Sequence, residues 1–492
     1  MEKNTILEKD NIANFNKLDN SKDLDILLDR VGDSQFVLLG ESSHGTYEFY
    51  RWRIEITKRL IKEKGFSFIA VEGDWPNCFK VNRYIKGLPD SEDNKNTAYD
   101  ILYTFNRWPT WMWANKEIVE LVEWLKSFND EKKQKQQQQQ QHQHQQRQEQ
   151  KDYSNSNFIS TKKLVGFYGL DLYSLWESME AIIQYLKKVD PNAVKNAIEV
   201  YNCFEPYGKD VENYARATAF VPKNCEDEVI KMLSSLHKKM DDYSKRDHGN
   251  REKEEEYFNA EQNAITAKDA EFYYRTMIRG DIKSWNIRDS HMMETLERLI
   301  TFHDENNKEE DNSKAIVWAH NTHIGDARAT DMSKDNMINL GQLVRERKNK
   351  NNTVLIGFGT YKGSVIAAKQ WGEKMDQMEV PPAIDGSWDS ILHNLQNESI
   401  AASATNNKLI ILSYKSDSNI FDNKRNNNTW RGQRAIGVVY NPLYEKYGNY
   451  VPTDISSRYD AFLFIDETHA LHPLHMQTIK DEDLPETFPT GL

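Results

Sequence analysis

The stretch Phe36–Gly45 reads FVLLGESSHG: an apolar run, a glycine, then a glutamate, two serines, a histidine and a second glycine. An unbroken apolar run of this length fits a strand buried on both faces, as in parallel sheets. Phe66–Glu72 (FSFIAVE) repeats the pattern and again ends on a carboxylate. Between the two, Phe49, Trp52, Ile56 and Leu60 recur near helical spacing. A strand, a helix and a second strand of this kind predict an α/β fold.

Working outward, similar runs occur at Leu164–Gly169 (LVGFYG), Ala315–His320 (AIVWAH), Val354–Phe358 (VLIGF), Leu409–Leu412 (LIIL), Ala435–Tyr440 (AIGVVY) and Ala461–Ile465 (AFLFI). From Leu170 to about Asn312 charged amphipathic stretches replace them. Glu271–Gly280 is one. Ser284–His303 is another, with Ser284 as a possible cap and Met292, Leu296 and Leu299 as its apolar stripe. The reading is a mostly parallel sheet interrupted by a helical subdomain. Its parts are a helical lead-in (1–30), the first part of the α/β core (31–130), a glutamine-rich insertion (131–160), a core strand (161–172), the helical subdomain (173–312) and the second part of the core with a tail (313–492). The insertion, EKKQKQQQQQQHQHQQRQEQ from Glu131, has nothing apolar to bury and is expected to be a disordered loop. Its His142 and His144 read as part of a repeat rather than a metal site.

The 492 residues carry a formal net charge of −12. That balance repels phosphate backbones, which argues against nucleic acid as a partner. No run of about 18 apolar residues suggests a membrane span. Cys78, Cys203 and Cys225 are too few and too scattered for a disulfide framework or a cysteine-based zinc site. A soluble, cytoplasmic protein is expected.

Four early runs end in ionisable groups. The first is followed by Glu41 and His44, the second ends in Glu72, the third leads into Asp171, and the fourth ends in His320 with His323 close behind. Ligands of open parallel sheets bind beyond the carboxyl ends of the strands. Each group has an ordinary reading: His44 lining a turn, Glu72 paired with Arg53, Asp171 capping a helix, the later histidines in a loop. Together at one edge they fit general-base chemistry, with an imidazole beside a carboxylate taking a proton from water. A second imidazole or an arginine would stabilise an oxyanion. Ser42 and Ser43 are weak nucleophile candidates, because no GxSxG elbow presents them. His469, His472 and His475 form a second group, read as part of a surface-covering tail.

At these residues the chain resembles the erythromycin esterase family. The matching stretches are LLGESSHGTYEFYRWR (Leu38–Arg53), FIAVEGDWPNCFKVNRYI (Phe68–Ile85), VGFYGLDLYSLWESM (Val165–Met179), YYRTM (Tyr273–Met277), SWNIRDSHM (Ser284–Met292) and VWAHNTHIGDAR (Val317–Arg328). The resemblance implies a three-layer α/β/α core, a helical part set against it with a cleft between, and hydrolysis of an ester or lactone. It implies His44 as the base that activates water, Glu41 and Glu72 orienting it, Arg53 pairing with the glutamates, and His320 and His323 completing the cluster. It turns Tyr274, Arg275, Trp285 and Arg288 toward the cleft, with plain packing as their alternative. It implies no cofactor. The residue types alone leave three alternatives open: a divalent metal held by the same histidines and glutamates, a transferase of carbohydrate biosynthesis, and a binding protein without turnover.

Overall fold

The computed structural model describes residues 14–88, 97–149, 164–204, 225, 251–277, 282–305, 312–412 and 430–475. A nine-stranded sheet organises them, in the order β1-β8-β11-β6-β2-β5-β3-β4, with β7 hydrogen-bonded to β6. The central strands are β2 (Phe36–Leu39), β3 (Phe68–Asp74), β4 (Gly166–Asp171), β5 (Ala315–Trp318) and β6 (Thr353–Ala368). They pair in parallel, in register Leu38↔Val317 and Ala70↔Val317, with Val71↔Gly169 on the far side. β11 (Ala461–Thr468) continues the parallel set beside β6. β1 (Asn14–Lys17), β7 (Met375–Val380) and β8 (Lys408–Ile411) add antiparallel edges.

Side chains alternate across this sheet, as a pleated strand requires. Val37, Leu39, Ile69, Val71, Ile316 and Trp318 join one core. It is covered by α1 (Asp25–Val31), α2 (Tyr47–Lys64), α3 (Trp75–Ile85), α4 (Ala98–Tyr103) and α5 (Lys116–Glu149). Phe36, Leu38, Phe68, Ala70, Ala315 and Val317 face the other way, against Met292, Leu296 and Leu299. Burying each such side chain contributes about 1.5–3 kcal/mol, which fixes the three layers. The helical part has its own core, formed by α6 (Leu175–Val189), α7 (Val194–Phe204) and α8 (Arg251–Met277). It joins the sheet through α9 (Lys283–Glu305), which carries that methionine-leucine stripe.

Four expectations are corrected. The lead-in is not wholly helical: β1 precedes α1 and closes one edge against β8, where backbone pairing outweighs the weak apolar pattern of NFNK. The glutamine-rich segment is not a loop through its described length. The backbone of α5 runs on to Glu149, and residues 150–160 of the insertion fall outside the described residues. Lys, Glu and Gln are good helix formers, and the turn at Ile118–Leu125, buried in the core, has already met the nucleation cost. His142 and His144 lie where no side chain is described. Ala435–Tyr440 forms no sheet strand. The hairpin beside it is β9 (Arg431–Arg434) with β10 (Tyr450–Thr453), and AIGVVY meets the sheet through single bridges, Ser43↔Ile436 and Ala368↔Val439, and by packing Ile436 and Tyr440 on Val365 and Ala367. Finally, Cys203 and Cys225, 22 residues apart in sequence, are disulfide-bonded in the helical part, and Cys78 is free and buried. Among the described residues, no helix is long and apolar enough to cross a membrane.

Candidate active site

The carboxyl ends of β2, β3, β4 and β5 point the same way and deliver Glu41, Glu72, Asp171 and His320 to one place. The turn after β2 is held tightly. The Gly45 carbonyl accepts from the amides of Ile366 and Leu471, and a Cβ on Gly45 would lie 1.9 Å from the Ile366 oxygen. Only glycine lets the backbone approach so closely.

That turn aims His44. Its Nδ1 lies 2.8 Å from Glu41 Oε1, and Arg53 Nη2 donates to Glu41 Oε2 at 2.6 Å. Arg53 is buried on α2 with its guanidinium over the rings of Tyr50 and Trp318. A carboxylate already paired with arginine accepts, so Nδ1 carries the proton and Nε2 keeps its lone pair toward the cavity. Burial disfavours the charged imidazole, but the Glu41 hydrogen bond and the nearby Glu72 outweigh it and raise His44 above its usual 6.5.

Glu72 is held from three sides. His320 donates its backbone N–H to Oε2 at 2.8 Å, Arg288 Nη2 donates to Oε1 at 2.7 Å, and Trp113 Nε1 donates to the Glu72 carbonyl at 3.0 Å. Burial opposes the charge on this carboxylate. His323, Arg288, His44 and the His320 amide together overcome it and hold Glu72 well below the usual carboxylate range. Arg288 also forks onto Asp171, with Nε to Oδ1 at 3.0 Å and Nη2 to Oδ2 at 2.7 Å. Its Nη1 lies 2.8 Å from His323 Nε2. Arginine only donates, so His323 Nε2 accepts, and its Nδ1–H is directed at the Asp289 carboxylate 2.9–3.0 Å away. Trp285 stacks on the His323 ring at 4.6 Å with planes 8° apart.

His320 faces His44 across the site, with ring centroids 4.9 Å apart. Its Nε2 is buried with no partner at ordinary hydrogen-bond geometry, although the Ser42 backbone lies close to the ring. Burial is the main cause that drives its pKa well below 6.5, and His44 adds to it; Glu72 and the Ser42 backbone oppose. His320 is therefore a neutral imidazole at physiological pH. Above these groups opens a cavity of about 750 Å³. Its walls include Trp108 and Trp371, the Asp74–Arg107 ion pair, Tyr173 and Tyr273 from the helical side, the buried Tyr440, and the exposed Tyr444 and Tyr447.

A family model for erythromycin esterase matches residues 61–468. The chain belongs to the erythromycin esterase family. Among its relatives, "Putative hydrolase YbfO" of Bacillus subtilis (strain 168) is 23% identical over an alignment of 404 positions that covers 76% of this chain and 74% of the relative. Of solved structures, a succinoglycan biosynthesis protein superposes with a TM-score of 0.65 at 20% identity, covering 96% of this chain and 98% of the other. A Bacillus cereus protein gives 0.68 at 18%, covering 96% and 99%. A histidine-to-asparagine mutant of the erythromycin esterase EreC, in its open conformation, gives 0.59 at 14%, covering 92% and 98%. At these identities the structural matches show the shared α/β fold. The family and the hydrolase relative support a hydrolase function.

Within this erythromycin esterase fold, His44, Glu41, Arg53, Glu72, His320, His323, Arg288, Trp285 and Asp171 come together. Arg53 serves Glu41 alone; the cation on Glu72 is Arg288, which comes from α9 rather than α2. Asp171 caps no helix. It accepts from Arg288 and from the Leu172 amide. Tyr274 and Arg275 stand off the cavity: the Tyr274 hydroxyl donates to the Tyr173 carbonyl, and Arg275 pairs with Glu271. Tyr273, one position earlier, lines the cavity instead. A helix turns about 100° per residue, so this difference of one position is the difference between wall and support. The tail histidines scatter, His469 to Glu48, His472 to Glu117 and His475 to the Tyr103 carbonyl. Asp289 was missed. Its signal lay in SWNIRDSHM, next to Arg288 and one helical turn past Trp285.

Proposed function

We propose that this protein hydrolyses carboxylic esters or lactones with water activated by His44. The observation that carries the reading is the opposition of two imidazoles on one cavity wall, His44 backed by Glu41 and His320 with an unpartnered Nε2. Water bound at His44 Nε2 gives up a proton as its oxygen attacks the substrate carbonyl carbon. Glu41 and Arg53 hold the imidazolium that forms, as the carboxylate of a catalytic triad does. The carbonyl oxygen becomes an oxyanion within reach of His320. When the intermediate collapses, the C–O bond to the leaving group breaks and His44 returns the proton to the alkoxide. The products are the acid and the alcohol.

Arg288 has a supporting part. Its single positive charge sits between Glu72 and Asp171 and offsets part of the field with which two buried carboxylates would oppose the developing oxyanion. Two of the candidate metal ligands, Glu72 and His323, are engaged in this network. Glu72 is filled by Arg288 and a backbone N–H, and both ring nitrogens of His323 are in use. Among the described residues no group of three or more His, Cys, Asp or Glu is arranged to hold a metal ion. The aromatic walls suit a bulky substrate such as a macrolide lactone.

The test is turnover of an ester panel that includes a macrolide lactone, by the protein and by His44→Ala, before and after exhaustive dialysis against a chelator. Loss of a general base costs about 10²–10⁴-fold. His44→Ala is expected to lose at least that much with its circular dichroism unchanged, and chelation is expected to change nothing. Full-rate hydrolysis by His44→Ala would overturn the mechanism. Loss on chelation with recovery on adding zinc or manganese would establish the metal reading.

A further inference from the structure

Two histidines three residues apart present opposite chemistry to the same site, and what lies behind each ring decides which. His323 has a carboxylate behind it, Asp289, and so points a lone pair at Arg288. His320 has donors behind it. It is the N-cap of the one-turn helix α10 (Asn321–Ile324), and its Nδ1 accepts the Thr322 backbone N–H at 3.3 Å. The Thr322 hydroxyl lies 2.8 Å from the same nitrogen. A nitrogen that accepts from a backbone amide holds no proton, so the hydroxyl donates too. The single proton of this neutral ring is then on Nε2, a buried atom without a hydrogen-bond partner, in a residue that lines the cavity together with His44.

We infer that Thr322 is a positioning residue that locks His320 in its Nε2–H form and so makes it the donor to the oxyanion. Thr322 is fully buried and is itself fixed, its carbonyl accepting from Asn339 Nδ2 at 2.7 Å. Without the hydroxyl, only the longer amide contact would favour this tautomer. In the other tautomer Nε2 would present a lone pair to the oxyanion, and like would face like. The inference rests on the ester-hydrolase reading for its effect on rate, but not for the tautomer itself.

The test uses Thr322→Val, which removes the donor and keeps the shape, and Thr322→Ser, which restores it. Loss of one oxyanion donor costs about 10²–10³-fold in kcat. Thr322→Val should approach that loss, with KM little changed and the pH profile unmoved because His44 still sets it. Thr322→Ser should recover most of the rate. Nitrogen-15 spectra of histidine-labelled protein, with the His320 signals assigned by their absence in His320→Gln, report the tautomer without any substrate. Wild type and Thr322→Ser should show a protonated Nε2 and a bare Nδ1, and Thr322→Val a mixture. An unchanged tautomer and an unchanged kcat in Thr322→Val would overturn the proposal, as would an Nδ1–H form in the wild type. If no ester is turned over by any variant, the hydrolase reading fails while the spectra still decide the role of Thr322. If Thr322→Val does not fold, the wild-type and Thr322→Ser spectra decide it.

Discussion

His44 must be neutral to take a proton from water, so its pKa sets the acid limb of activity. The Glu41 hydrogen bond and the Glu72 charge raise that pKa above 6.5 despite burial. Activity is therefore expected to fall as pH drops through a midpoint above 6.5. Glu41→Gln removes the charged acceptor and leaves an amide, so burial then dominates. The midpoint should move to lower pH, and kcat on the plateau should fall because the imidazolium of the transition state loses its counter-charge. Profiles of kcat/KM from pH 5 to 9 for both proteins check this. A Glu41→Gln midpoint equal to or above that of wild type would show that Glu41 does not tune the base. Arg53 then follows as the group that holds the Glu41 carboxylate in place, and it is itself seated over the rings of Tyr50 and Trp318.

The elements meet at Arg288. One guanidinium on α9 joins the ends of β3 and β4, through Glu72 and Asp171, to α10, through His323. Removing one partner of a buried ion pair costs about 3–5 kcal/mol, because the other charge is left uncompensated. Arg288→Met is expected to lose about that much in urea unfolding and to lose activity. Arg288→Lys keeps the charge but cannot fork onto Asp171. It should recover much of the stability and little of the rate. Equal stability of Arg288→Met and wild type would mean that Glu72 and Asp171 find other partners. How much of this was legible follows from where each signal sits in the chain. Glu41, His44, Glu72 and His320 could be read because each follows an apolar run, and parallel pairing then puts the strand ends together. The partner of Glu72 could not. Arg53 and Arg288 are both arginines on amphipathic helices, and only the placement of α9 across the sheet ends selects between them. Tyr273 and Tyr274 differ by one helical position, which a short motif without its helix axis does not resolve.

At the scale of the molecule, the run of β2, α2 and β3 predicted the sheet. The helices after residue 173 pack around a core of their own, and Tyr173 and Tyr273 from that part line the cavity together with residues at the strand ends. The cavity rim was illegible. Gly437–Tyr440 line it from a segment that reads as a strand but lacks a neighbouring strand to complete, and Asn441, Tyr444 and Tyr447 follow from the turn after it. The glutamine-rich tract was misjudged for the opposite reason. Composition describes a segment in isolation, whereas α5 is anchored by Ile118, Leu121, Val122 and Leu125 in the core, and helix propagation from an anchored turn is easy. The same anchoring separates the tract from function. Asn129 bonds the carbonyls of Ile85 and Val165 and Lys133 bonds that of Lys86, whereas Gln137 and Gln138 are already exposed. Among the described residues, none between Trp113 and Asp171 lines the cavity. Deleting Gln138–His144 removes seven residues, close to two helical turns, and so preserves the direction in which the chain leaves the helix. The shortened protein is expected to keep kcat/KM within about twofold and its melting temperature within a few degrees, since surface changes away from packed features stay within about 0.5 kcal/mol. A thermal melt and one ester assay check it. A large fall in either would place the far end of α5 against the cleft or the helical part, and would make the tract a working part of the enzyme.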